Sequence, residues 1–160
     1  MNYADLKLFD TVNGPGVRVS LFVSGCTVNC PGCFNTEARN FRFGKVFDEE
    51  VIEKIVSTVD SKHYEGISIL GGDPCEVKNI DSVVTLCRRL RERAPDKSIW
   101  IWTGRTIEEL QAKEGKAFAE LLSLADVIVD GRFVQELADA KLKYRGSSNQ
   151  RILYRKNGDF

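Results

Sequence analysis

The sequence predicts an α/β fold: a mostly parallel sheet with helices outside, arranged as a partial, open βα barrel or as a small doubly wound sheet. Three observations predict it. Short apolar runs rich in β-branched and aromatic residues, VRVSLFV (17–23), GISIL (66–70), SIWIW (98–102) and DVIV (126–129), have the length of buried parallel strands. Helical periodicity occupies the intervals between them. The last three runs begin at residues 66, 98 and 126, about thirty residues apart, as one βαβ unit requires. A complete eight-stranded barrel takes about 250 residues. The 160 residues here supply part of one, and 1–160 reads as a single domain.

Taken in order, run 17–23 leads into a long interval that holds a cysteine-rich loop. Asp48 then caps a helix whose Val51, Ile52, Ile55, Val56 and Val59 share one face. Run 66–70 ends at Gly71-Gly72-Asp73-Pro74. A second helix carries Ile80, Val83, Val84, Cys87 and Leu90 on its apolar face and stops at Ala94-Pro95. Run 98–102, whose Trp100 and Trp102 read as packing residues, ends at Thr103-Gly104. Thr106 with Glu109 makes a capping box ahead of Leu110. Run 126–129 ends at Asp130-Gly131, and a last strand is predicted at 152–154. In either architecture active sites lie at the C-terminal ends of the strands. The cysteine loop and the three turns therefore converge on one rim.

Composition narrows the class of function. Lys plus Arg and Asp plus Glu are equal, at 23 each, and neither a basic stripe nor a polybasic run suggests nucleic acid or a lipid surface. MNYADLKLFD lacks the charged and apolar segments of a signal peptide. The apolar runs are far shorter than the roughly 20 residues of a membrane helix. The expected location is cytoplasmic, where clustered cysteines are metal ligands or redox groups before they are disulfides.

Cys26, Cys30 and Cys33 form C-x3-C-x2-C, with Pro31 and Gly32 allowing a tight loop. Structural zinc takes four protein ligands, and the single histidine, His63, lies in the polar stretch SKHY. Three cysteines on an iron–sulfur cube leave one iron open to a substrate or cofactor. A catalytic cluster, a zinc site and a structural or redox thiol group all remain open on spacing alone. Cys87 reads as a packed core residue, and Cys75 as a thiol that does not ligate.

C-x3-C-x2-C followed by the aromatic Phe34 resembles the signature of the radical S-adenosylmethionine (SAM) enzymes. Gly71-Gly72-Asp73-Pro74 resembles that family's glycine-glycine motif, which meets the methionyl amino group of SAM. Asn13-Gly14-Pro15-Gly16-Val17-Arg18 resembles the segment ahead of the cysteines in activases of glycyl-radical enzymes, many of which have Asp where this chain has Asn13. SGC, CPGC, GGDP, WTG, VDGRF and RGSSNQ occur in the order seen in the branch that serves an anaerobic (class III) ribonucleotide reductase.

The resemblance implies a radical SAM barrel and a [4Fe-4S] cluster on Cys26, Cys30 and Cys33, with SAM chelating the open iron. Reductive cleavage of SAM to methionine and a 5′-deoxyadenosyl radical is implied, the radical then taking hydrogen from one glycine of the reductase. The implied partners are the glycyl-radical loop of the reductase large subunit and an electron donor such as flavodoxin. For SAM itself, the implied contacts are Gly32, Cys33 and Phe34 at the adenine, Gly71 and Gly72 by close approach, and Asp73 at the ammonium. Thr103 and Asp130 are implied around SAM or a nearby cation. No catalytic side chain beyond cluster and SAM is expected. Arg145 to Gln150 is either a plain turn or a dock for the glycine loop through Ser147, Ser148 and Asn149. The alternatives are an activase of another glycyl-radical enzyme, such as formate-lyase, or a non-catalytic iron–sulfur or zinc module for electron transfer or binding.

Overall fold

In a computed structural model, residues 1–112 and 115–160 are described. Seven strands form one sheet in the order β3 (Lys45–Val46), β1 (Asn2–Asp10), β2 (Arg18–Val23), β4 (Gly66–Gly71), β5 (Ser98–Trp102), β6 (Val127–Asp130) and β7 (Arg151–Tyr154). Its centre is parallel: β2 (Arg18–Val23), β4 (Gly66–Gly71), β5 (Ser98–Trp102) and β6 (Val127–Asp130). Each of these coincides with an apolar run within a residue or two. The helices between them are α1 (Glu49–Val59), α2 (Ile80–Arg93), α3 (Ile107–Gln111) and α4 (Lys116–Leu124).

The capping chemistry acts as its residue types dictate. Asp48 accepts from the Val51 amide at 3.1 Å, and Thr106 and Glu109 exchange both bonds of their capping box. At the other end of α2, the Ala94 amide still donates to Leu90, and Pro95 then ends the helix.

The flanks depart from the expected parallel pattern. β1 (Asn2–Asp10) and β3 (Lys45–Val46) add antiparallel strands on one side, and β7 (Arg151–Tyr154) pairs antiparallel with β6 on the other. The signal for β1 was alternation: Leu6 and Leu8 lean on the core while Asp5, Lys7 and Phe9 face solvent. α4 was also absent from the sequence reading, although Phe118 and Leu121 are its buried residues.

The two faces of the sheet differ in kind. Val19, Leu21 and Val23, with Ile67, Ile69, Ile99, Ile101 and Ile128, alternate onto one face and pack in a single core with residues of all four helices. On the other face Trp100, Val127 and Val129 pack with Trp102, Tyr144 and Ile152, and among the described residues no helix contributes to that cluster. Helices on one side only overturn the doubly wound alternative, which needs them on both. Among the described residues no helix is long and apolar enough to cross a membrane.

The helix-free face is polar at its base. Arg18 is fully buried there and donates to Ser68 Oγ (2.8 Å), Ser98 Oγ (2.9 Å), the Ile67 carbonyl (2.6 Å) and the Ser98 carbonyl (3.0 Å). Its guanidinium lies 5.5 Å from the Trp100 ring centroid. Burial pushes its pKa down to about 10, still charged at neutral pH. One cation thus ties β2, β4 and β5 together through neutral acceptors. Arg18→Met should lower stability by about 2–4 kcal/mol, because it leaves those acceptors unpaired in the interior. Chemical denaturation of the reduced protein measures the difference; an unchanged midpoint and slope would refute the role.

Candidate metal centre

Four strand ends meet as expected. The cysteine loop after β2, Gly71-Gly72 after β4, Thr103-Gly104 after β5 and Gly131 after β6 all line one cavity of about 390 Å³ on the helix-free face. Cys26, Cys30 and Cys33 line it together, each half-buried. Cys75 and Cys87 are fully buried and do not reach it, and burial pushes the Cys87 thiol up to about 12. His63 is exposed in its loop.

The cysteine loop has almost no regular structure of its own, so neighbouring segments hold it. Asn29 and Gly32 adopt left-handed backbone, with φ of 56° and 72°. Arg39 clamps this bend from the following turn, donating to Asn29 Oδ1 (2.8 Å) and to the Cys30 carbonyl (2.6 Å). The amides of Gly25 and Cys26 donate to the carbonyls of Ala38 and Arg39, at 2.6 and 3.1 Å.

The turn after β4 supplies the other support. The Asp73 amide donates to the Gly25 carbonyl at 2.9 Å, and Asn79 Nδ2 reaches the carbonyls of Ser24 and Asp73, both at 3.0 Å. A Cβ on Gly72 would stand 2.6 Å from the Gly25 oxygen and 2.8 Å from that of Ala38. Glycine at 72 is therefore required by the approach of the cysteine loop's own backbone.

The donor set distinguishes the metals left open by spacing. A single zinc ion binds thiolates at about 2.3 Å and so draws them close together. Among the described residues, the trio of donors lying within 4.8 Å of one another is Cys26, Asp73 and Glu76, not the three thiols. Nor is that trio free to take an ion. Asp73 Oδ1 accepts from the Cys75 amide, and Oδ2 from Thr103 Oγ1 and the Gly104 amide. Three thiols around one cavity, with no fourth cysteine among its lining residues, fit an iron–sulfur cluster that keeps one iron open.

Of the residues singled out for SAM, Cys33, Phe34, Gly71, Gly72 and Thr103 line the cavity, whereas Gly32, Asp73 and Asp130 do not. Asp73 is a buried strut joining the turns after β4 and β5. Its pKa is raised to about 6 chiefly by burial, which the Cys75 amide, Arg105 and Thr103 oppose. Asp130 accepts from Arg151 Nε (2.9 Å) and Nη2 (2.5 Å) and from the Ile107 amide (2.8 Å). It anchors β7 and α3.

Sequence reasoning passed over several lining residues. Trp102 lines the cavity and also donates its indole N–H to the Tyr144 carbonyl at 2.7 Å. Tyr144 and Phe133 come from the irregular segment after β6, for which no periodic signal exists. Arg145 to Gln150 forms a turn closed on itself: Gln150 Oε1 accepts from the amides of Gly146 and Ser147, and Ser147 is buried, taking the Val134 amide. Arg145, Gly146 and Gln150 still reach the cavity wall.

Asn13 also lines the cavity, and its neighbour explains the amide. Its Nδ2 donates to Asp10 Oδ2 at 2.6 Å, where Ser20 Oγ also donates. Burial works against the Asp10 charge, but bonds from Ser20, Val12 and Asn13 bring its pKa below the ordinary value. A second carboxylate at 13 would face the first directly.

Over residues 12–153 the chain matches the family described as a 4Fe-4S single cluster domain. It is 41% identical over 152 residues to the anaerobic ribonucleoside-triphosphate reductase-activating protein of Escherichia coli K12, covering 94% of this chain and 96% of that one. The protein of the same name from Vibrio cholerae is 42% identical over 154 residues, covering 95% and 97%. That of enterobacteria phage T4 is 38% identical over 152 residues, covering 95% and 93%.

Two substitutions test this geometry. Gly72→Ala should displace the cysteine loop and lower the iron bound after anaerobic reconstitution by about tenfold or more, as disrupted supports of metal ligands do; full iron content would contradict the steric argument. Asn13→Asp should cost about 1–3 kcal/mol at neutral pH through the unpaired, repelling carboxylates. Repulsion raises their folded-state pKa, so the deficit should shrink as the pH falls through the carboxylate range. Denaturation curves at several pH values read both the size and the sign.

Proposed function

Because the chain belongs to the anaerobic ribonucleoside-triphosphate reductase-activating proteins, within the 4Fe-4S single cluster domain family, we propose that it activates such a reductase by generating its glycyl radical. The observation that carries this reading is the placing of Cys26, Cys30 and Cys33 together on a single cavity at the strand ends. Bound there, a [4Fe-4S] cluster would supply the electron for cleaving SAM. Cys26, Cys30 and Cys33 hold the cluster, and the whole chain acts as one domain, an open radical SAM barrel whose inner face is the helix-free face of the sheet.

The remaining roles belong to this chain's own residues. Cys33 and Phe34 present backbone and ring to the adenine, with Gly32 shaping that bend from behind the wall. Gly71, Gly72 and Thr103 form the side of the cavity that meets the methionyl end of SAM. Asp73 and Asp130 act one layer behind, holding the turns that carry those contacts, since every oxygen of both already accepts a bond. The low polarity of Trp102, Tyr144 and Phe133 keeps water from the reacting end.

The partner is the reductase large subunit. Phe34, 80% exposed, and Val12, 73% exposed, both line the cavity and leave an apolar rim at its mouth. A protein loop carrying the target glycine enters there, and a donor of the flavodoxin type would supply the electron for a bound cluster. Arg145, Gly146 and Gln150 border the same mouth; Ser147, being buried, acts by shaping the turn.

Electron paramagnetic resonance of the anaerobically reconstituted, reduced protein should show a cluster signal that changes when SAM is added. Mixing with reductase and SAM should then give a persistent glycine radical. Changing any one of Cys26, Cys30 or Cys33 to Ala should abolish both signals, while Cys87→Ala keeps them. Stoichiometric zinc in place of iron, or a cluster indifferent to SAM, would overturn the reading.

A further inference from the structure

Beside the first cysteine lies a charged pair that none of these roles uses. Glu76, 5% exposed, rises from the turn after Gly71-Gly72, and Arg105 comes from the turn after β5. Glu76 Oε1 accepts from the Thr27 amide (2.7 Å), from Thr27 Oγ1 (2.8 Å) and from Arg105 Nη2 (2.8 Å). Arg105 Nη2 also donates to Thr27 Oγ1 at 3.1 Å, and its Nε is buried without a partner. Two strand ends thus close on the residue next to Cys26.

A largely buried ion pair is a costly way to fill space, and apolar side chains of the same volume often serve stability as well or better. What apolar residues cannot supply is charge. The Glu76 carboxylate lies within 4.8 Å of the Cys26 sulfur, in a region where water screens little. Both the hydrogen bonds around a cluster and the net charge near it set its reduction potential.

We propose that Glu76 and Arg105 are positioning residues for the iron–sulfur centre. The pair holds the Cys26–Thr27 segment in its ligating conformation, and its two charges bias electron uptake by the bound cluster in opposite senses. Glu76 disfavours the added electron and Arg105 favours it. The inference rests on the reading that Cys26 ligates a [4Fe-4S] cluster.

The test compares wild type, Glu76→Gln, Arg105→Gln and Glu76→Ala, reconstituted anaerobically, for iron and sulfide per chain and for midpoint potential. Glu76→Gln keeps an acceptor for Thr27 but loses the charge, so it should retain the cluster and titrate at a more positive potential. Arg105→Gln should shift the potential the other way, and Arg105→Lys, which keeps the charge, should stay near wild type. Glu76→Ala removes the acceptor and should weaken cluster loading about tenfold or more. Circular dichroism checks folding; if Arg105→Gln is unfolded, the Glu76→Gln and Arg105→Lys potentials decide. Glu76→Gln and Arg105→Gln potentials that coincide with wild type or move together, or wild-type loading by Glu76→Ala, would overturn the proposal. Wild type that takes up no cluster would instead overturn the reading beneath it.

Discussion

The approach of two stretches of backbone at Gly72 is the constraint on which the site depends. The cysteine loop has no ladder to hold it, and its Gly25 carbonyl and the Ala38 carbonyl of the following turn pass within 3 Å of where a Cβ at 72 would stand. Contact at that range lets Asp73 donate its amide to the loop and lets Asn79 cross beneath it. A glycine that resembles a cofactor contact is thus also the hinge of the protein's own packing. The two requirements are compatible because Gly72 lines the cavity on its other side.

A similar economy governs the two sheet faces. Helices cover one face with an ordinary apolar core. The opposite face carries Arg18, Ser20, Ser68 and Asp10, all buried and all hydrogen-bonded, beneath an aromatic patch of Trp100, Trp102 and Tyr144. Satisfied polar groups of this kind rigidify a surface that no helix covers. The aromatic rings shield it where the chain after β6 crosses over. The result is a stiff wall with an open mouth, suited to radical chemistry, in which the protein positions and excludes more than it reacts.

Carboxylates near the centre illustrate why a motif and a ligand are different things. Asp73 and Asp130 both stand at strand ends on the rim, the place where substrate contacts are expected. Yet Asp73 is turned inward to Thr103 and Gly104, and Asp130 to Arg151 and Ile107. Each converts a strand end into a fixed turn. The groups that reach the cavity are instead thiols, aromatic rings, glycine backbone and uncharged or cationic polar side chains such as Asn13, Thr103 and Arg145.

The amino-acid sequence alone determined the four parallel strands, the helix caps, the three clustered cysteines that line the cavity and the order of motifs around them. These follow from local physics: β-branched runs, one-faced helical periodicity, and thiol spacing that few sites share. The short β3 and the irregular wall from Phe133 to Gln150 carried no such pattern, because their conformations come from partners distant in sequence. Only the tertiary structure decided that all helices lie on one face and that Asp10 makes Asn13 an amide. It also decided that Glu76 and Arg105 meet beside Cys26. These are contacts between residues 3 to 78 apart along the chain, and no local propensity records which charge will find which neighbour once the strands align.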